Sequence, residues 1–146
     1  MTKNSFVEYM TWDEVDESLQ QEACAVLGIG AAAKEHGLHL PMNTDYLQAQ
    51  WLTRKASELT HCVVWPTISY GFYPAFTDFP GSCNVSEGCF QTMVKDVCDS
   101  IYRSGAKKLL IINTGISTKR ALENVKENFE NTNFKIYLHH ACSGQA

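Results

Sequence analysis

Four short, strand-like runs rich in apolar residues alternate with longer segments in which apolar residues recur every three or four positions. The runs cover 23–30, 61–66, 107–113 and 134–140. The first is continuously apolar rather than alternating, which suits a strand buried on both faces. The periodic segments predict helices over 11–22, 44–59, 86–103 and 117–129. Thr11 with Glu14 three residues on forms a capping-box start, and Ser86 caps the third helix. Ser104-Gly105 ends that helix, and Ser117 or Thr118 caps the fourth. Leu47, Trp51, Leu52, Ala56 and Leu59 form the expected buried stripe of the second helix. Met93, Val94, Val97, Cys98, Ile101 and Tyr102 do the same for the third. Strand and helix alternate throughout, which predicts an α/β fold: a three-layer αβα sandwich around a mainly parallel sheet.

Composition narrows the function classes. A chain of 146 residues, 45% hydrophobic and 19% charged, suits one domain with a sizeable core. Its net charge of -4 gives no basic footprint for nucleic acid. No apolar run approaches a membrane span, and residues 1–6 lack the apolar core of a signal peptide, so a cytoplasmic location is expected. Six cysteines at 24, 62, 83, 89, 98 and 142 show no C-x-x-C spacing, which argues against a zinc ribbon or redox motif. They read as free, buried thiols. The sequon Asn84-Val85-Ser86 has no meaning without secretion.

The chemistry concentrates after the first strand. The run Lys34-Glu35-His36-Gly37-Leu38-His39-Leu40-Pro41-Met42-Asn43-Thr44-Asp45 places two histidines and two carboxylates at the carboxyl end of a strand, where α/β proteins bind ligands. His36, Asp45 and Glu35 are the candidate metal ligands. Lys34, His39, Tyr70, Asn113 and Ser117 are the candidate pocket residues. Lys34 pairs with Asp45 or Glu35, or is solvated. The turn from Asn113 to Ser117 presents backbone N–H groups to an anion or serves only as a turn. The loop 67–82, rich in Tyr, Phe, Pro and Gly, covers a pocket or meets another subunit. His139 and His140 are adjacent on a strand and therefore face opposite sides, which argues against a joint metal site.

Four segments in order resemble the creatininase (creatinine amidohydrolase) family. His36-Gly37-Leu38-His39-Leu40-Pro41 with Thr44-Asp45 is similar to the family's E-x-H-G-x-H-L-P-x-x-T-D. Pro66 to Tyr70-Gly71 is similar to a second family segment. Phe79-Pro80-Gly81-Ser82 resembles F-P-G-T, and Gly105 through Ile112-Asn113 resembles the strand ending in N-G-H. The resemblance implies an α/β amidohydrolase fold, divalent metals (zinc or manganese) at the strand ends, and assembly into a homo-oligomer. It also implies a single domain, 1–146, without the family's C-terminal portion.

The departures fall on the family's ligand positions. Lys34 stands where the first glutamate belongs, Gly115 at the second histidine, and Ser117 at the later glutamate. Ala75-Phe76 replaces an E-H pair. Two metals activating one water need several anionic or imidazole ligands, and His36 with Asp45 is too small a set. A remodelled site would use Glu35 as well. The first expectation is therefore a catalytically degenerate member that acts as an oligomeric binding or assembly protein and holds no metal. The alternative is an amidohydrolase of cyclic or linear amides holding one divalent metal on His36, Asp45 and Glu35. A third reading is a metal-free small-molecule sensor.

Overall fold

A computed structural model describes residues 4–141. Its elements, in chain order, are α1 (Trp12–Gln20), β1 (Cys24–Ile29), α2 (Thr44–Leu59), β2 (Cys62–Ile68), α3 (Glu87–Arg103), β3 (Lys108–Asn113), α4 (Lys119–Glu127) and β4 (Lys135–His140). Single 3₁₀ turns lie at Val7–Tyr9 and Pro74–Phe76. The four strands form one sheet in the order β2-β1-β3-β4, and every pairing is parallel. The α/β sandwich expected from the alternation is what forms.

The apolar runs explain the sheet. Ala25, Val26 and Leu27 of β1 are fully buried between β2 and β3. One face carries Ala25, Leu27, Ile29, Val63, Leu109, Ile111 and Ile136 against α1, α3 and α4. Phe90, Val94, Cys98 and Ile101 are the buried line of α3, and Leu122 and Val125 that of α4. The opposite face, with Val26, Val64 and Ile112, is covered by α2 and by Phe6 of the amino-terminal segment. Pro66 sits in β2, an edge strand. Two residues earlier, the Val64 N–H turns away from β1 and donates to Ser5 O at 2.7 Å. The missing N–H of Pro66 therefore costs no bond to β1. The Thr11 backbone N–H donates to Glu14 Oε2 at 2.8 Å, as the capping-box pattern requires.

The expected stripe of α2 is corrected. Leu47, Trp51 and Leu59 are 49%, 56% and 84% exposed, while Asp45, Ala49 and Thr53 are buried. The reason lies underneath: β1 presents Gly28 to the helix, and a Cβ there would meet Thr53 Cγ2 at 3.0 Å. A helix seated that close turns its small residues to the sheet and its large ones outward. In α3, Phe90 is buried and Tyr102 exposed, which shifts the expected face by part of a turn.

The cysteine expectation is also corrected. Cys62 and Cys98 are buried and Cys24 partly so, but Cys83 and Cys89 are exposed; Cys142 lies outside the described residues. Burial pushes the Cys62 thiol up to about 11 and Cys98 to about 12, leaving almost no thiolate at neutral pH. Peptide mapping after brief iodoacetamide treatment of the native protein is expected to find Cys83 and Cys89 alkylated and Cys62 and Cys98 intact. Equal labelling of all four would contradict this packing.

Candidate functional site

Strand order reverses around β1, because α2 leads away to β2 on one side while β3 pairs on the other. The carboxyl ends of β1 and β3 therefore flank a switch-point crevice. Thr114, just past β3, closes its floor. Its hydroxyl donates to Asp45 O at 2.7 Å, tying the strand end to the first turn of α2. Gly30 makes this approach possible, since a Cβ there would collide with the Asp45 carbonyl and with Thr114 Oγ1.

The loop between β1 and α2 is pinned from both sides. Ala32 N–H donates to Ser69 O, Lys34 N–H to Met42 O, and Cys83 N–H to Ala33 O. These bonds deliver Lys34 to the crevice. Its ammonium lies 2.5 Å from Asp45 Oδ2, and the two residues are only 8% and 6% exposed. The rings of Phe76 and Tyr73 stand 5.2 and 5.8 Å from the same nitrogen, within cation–π range. Asp45 lies in the first helical turn, where the helix dipole favours a carboxylate. Burial holds the Tyr73 phenol above its ordinary value, so it remains neutral beside the pair.

His36 completes the cluster. Its Nδ1 lies 2.8 Å from Lys34 O, and because a carbonyl can only accept, Nδ1 is the donor. In the neutral ring the lone pair then sits on Nε2. That nitrogen is 3.0 Å from Asp45 Oδ1, yet it is buried and off the line that a hydrogen bond requires. It is a buried polar atom without a hydrogen-bond partner.

The remaining sequence candidates separate. Lys34, Asp45, Tyr70, Asn113 and Ser117 line one cavity. Its volume of about 10 Å³ is room for about one water. His39 is exposed and lies over Gly37. Glu35 is not brought to His36 and Asp45; its carboxylate accepts from the Gly37 backbone N–H. Asn113 has no free side-chain group to offer: Oδ1 accepts from Gly115 N and Thr118 Oγ1, and Nδ2 reaches Gly115 O and His140 Nδ1. Thr118 holds the N-cap position of α4, but its hydroxyl serves Asn113 rather than the helix. The sequence places Tyr73 and Phe76 in a loop that covers a pocket or meets another subunit, and Thr114 in the turn after the third strand, but assigns none of them a contact with Lys34 or Asp45.

His140 adds a pH dependence. Burial first, then Lys119, lowers its pKa below the ordinary 6.5, with Glu123 opposing. Its Nδ1 accepts from Asn113 Nδ2 at 3.0 Å, and protonation would replace that acceptor with a donor. The unfolded chain therefore binds this proton more readily. The contribution is complete above 6.5 and is lost as pH falls through the lower folded value. Thermal midpoints measured between pH 7.5 and 5 are expected to fall more in the parent than in a His140→Gln variant. Parallel curves would remove His140 from the account.

A divalent cation needs about four donors, such as carboxylates, imidazoles or water. Among the described residues, no group of three or more His, Cys, Asp or Glu stands close enough to hold one. His36 and Asp45 supply two donors, and the next position is filled by an ammonium. The residues present do not fit a metal centre.

The family model of creatininase, described as creatinine amidohydrolase, matches residues 8–144. The chain belongs to the creatininase family. A creatinine amidohydrolase of Pseudomonas putida is 26% identical over 118 residues, covering 77% of this chain and 45% of that protein. The chain thus spans about half the length of this curated relative. A crystal structure of creatinine amidohydrolase (creatininase) superposes with a TM-score of 0.82 at 21% identity, over 94% of this chain and 58% of that one. A structure named "Creatininase Mn" gives 0.82 at 22%, with the same coverage. These likenesses establish the fold.

Within that family frame the departures acquire a location. Lys34, Gly115 and Ser117, which stand at ligand positions of the family motif, line the same cavity as Asp45. Phe76, at the position of a motif histidine, stands over the Lys34 ammonium. Positions scattered over more than eighty residues converge on one crevice, and the side chains there are not metal donors.

Proposed function

We propose that this chain is a non-hydrolytic member of the creatininase family that works without metal, as an oligomeric binding or assembly protein. The observation that carries the reading is the Lys34 ammonium, buried against Asp45 and beside His36, the two family ligand positions that this stretch retains. Metal-assisted amide hydrolysis needs a cation to polarise the carbonyl and activate water. An ammonium can balance charge but cannot coordinate either oxygen. The cavity size supports the same reading, since a small cyclic amide needs far more room than one water. Exposed Leu47 and Trp51 on α2, with Tyr70 and Phe79 on the long loop, give apolar surface suited to self-association. No described helix is long and apolar enough to cross a membrane.

The second reading, a one-metal amidohydrolase, draws on the unpartnered Nε2 of His36. Elemental analysis of protein purified without chelator, joined to assays on creatinine and linear amides with added zinc or manganese, separates the two. The expected result is no stoichiometric metal and no turnover, with light scattering showing more than one chain per particle. Turnover that disappears in His36→Ala would replace the first reading by the second. A monomer at micromolar concentration would remove the assembly role.

A further inference from the structure

We propose that Lys34 is a tethered substitute for a divalent cation, and that this one side chain keeps metal out of an otherwise preserved two-donor site. The inference deepens the non-hydrolytic reading above and rests on it.

Two features of His36 point this way. Its Nδ1–H donates to a backbone carbonyl, which fixes the ring with the Nε2 lone pair turned inward. That outer-sphere arrangement is common to metal-ligating histidines. Nε2 then stands 3.0 Å from Asp45 Oδ1 without a hydrogen bond between them. Two donors each ~2.0–2.2 Å from one tetrahedral ion would stand roughly 3.3 Å apart. At 3.0 Å the pair is closer than two ligands of one ion and within hydrogen-bonding distance, so it is the missing partner at Nε2, not the spacing, that leaves its lone pair available to an ion.

Lys34 supplies what such an ion would otherwise supply. Its positive charge meets the other carboxylate oxygen, Asp45 Oδ2, and the Tyr73 and Phe76 rings stabilise it from the loop side. Lys34 enters the crevice from the residue two before His36, where the family motif has glutamate. Changing only its side chain would exchange a resident cation for a third donor on an unchanged backbone. That backbone is held independently by Lys34 N–H to Met42 O and by Cys83 N–H to Ala33 O.

The test uses zinc and manganese ions alone as probes on the full chain, read by competition with a chromophoric chelator, by metal content after dialysis and by thermal midpoint. The parent is expected to retain no stoichiometric metal. Lys34→Glu is expected to bind about one zinc per chain, at least ~100-fold more tightly than the parent, since even an outer-sphere partner changes metal affinity 10–100-fold. Its thermal midpoint should rise with zinc and fall with chelator. Adding His36→Ala to that variant should abolish the gain, which separates the crevice from exposed Cys83, Cys89 and His39. Lys34→Gln removes the cation without adding a carboxylate and should bind weakly, but more tightly than the parent. A folded Lys34→Glu chain with parental affinity would overturn the proposal. So would a Lys34→Gln chain with no gain, or a parent that already holds one ion per chain. The two readings fail separately. Amide turnover without metal would end the non-hydrolytic reading alone, and failure of the variants to gain metal would end the substitute-cation reading alone.

Discussion

Asp45→Ala is expected to destabilise the protein by about 3–5 kcal/mol, the scale for removing one partner of a buried ion pair. The loss falls on the Lys34 ammonium, 8% exposed, which would remain buried without its carboxylate. Cation–π contacts with Tyr73 and Phe76 do not replace a carboxylate at 2.5 Å. The double variant Lys34→Met/Asp45→Ala removes both charges and leaves a site that apolar groups can fill. It is expected to recover much of the loss. Urea denaturation of the parent, the single variants and the double variant measures the coupling. A single-variant cost below about 1 kcal/mol would mean that the pair is solvated and behaves as a surface bridge.

Gly30→Ala is expected to cost about 3 kcal/mol or more, at the upper end for overpacking. The added methyl would run into backbone, meeting the Asp45 carbonyl carbon at 2.7 Å as well as Thr114 Oγ1 at 2.7 Å. Neither can swing aside, because Thr114 itself holds the Asp45 carbonyl. Relief would require α2 to lift off the sheet, which would also draw Asp45 away from Lys34. Gly88→Ala is the internal comparison: it lies in α3 with open space around it. It should stabilise by up to about 1 kcal/mol through helix propensity. Thermal or chemical denaturation yielding the same sign for both would contradict the close seating of α2.

The sheet and its helices were legible because long apolar runs and helical periods report burial directly. The run from Ala25 to Ile29 could be read as a doubly covered strand, and it is one of the two inner strands of the sheet. The face of α2 was not legible in the same way. Its large residues promised a stripe, but the choice was made by glycines on another element, and no period within α2 records them. The crevice divided similarly. The strand-end position of Lys34, His36 and Asp45 was visible from their place after β1. The family resemblance marked the lysine as a departure from the motif. That its partner is Asp45 rather than Glu35 depends on loop hydrogen bonds to residues 42, 69 and 82–83, which lie in other segments. The rings over the ammonium come from a loop whose fold is set by Tyr73 N–H donating to Asn84 Oδ1, a contact between residues eleven apart.

The inner place of β1 has a consequence for how the chain is made. Ala25 pairs with Val63 on one side but with Leu109 on the other. At synthesis rates of roughly 5–20 residues per second, the second edge of β1 waits on the order of ten seconds for its neighbour. For that interval one of the most apolar segments of the protein has an open strand edge. Parallel pairings between distant segments also form slowly once both are available. Aggregation during expression should therefore be governed by β1 and relieved by slower growth temperatures or by chaperones, while the finished protein, with that edge closed, remains unaffected.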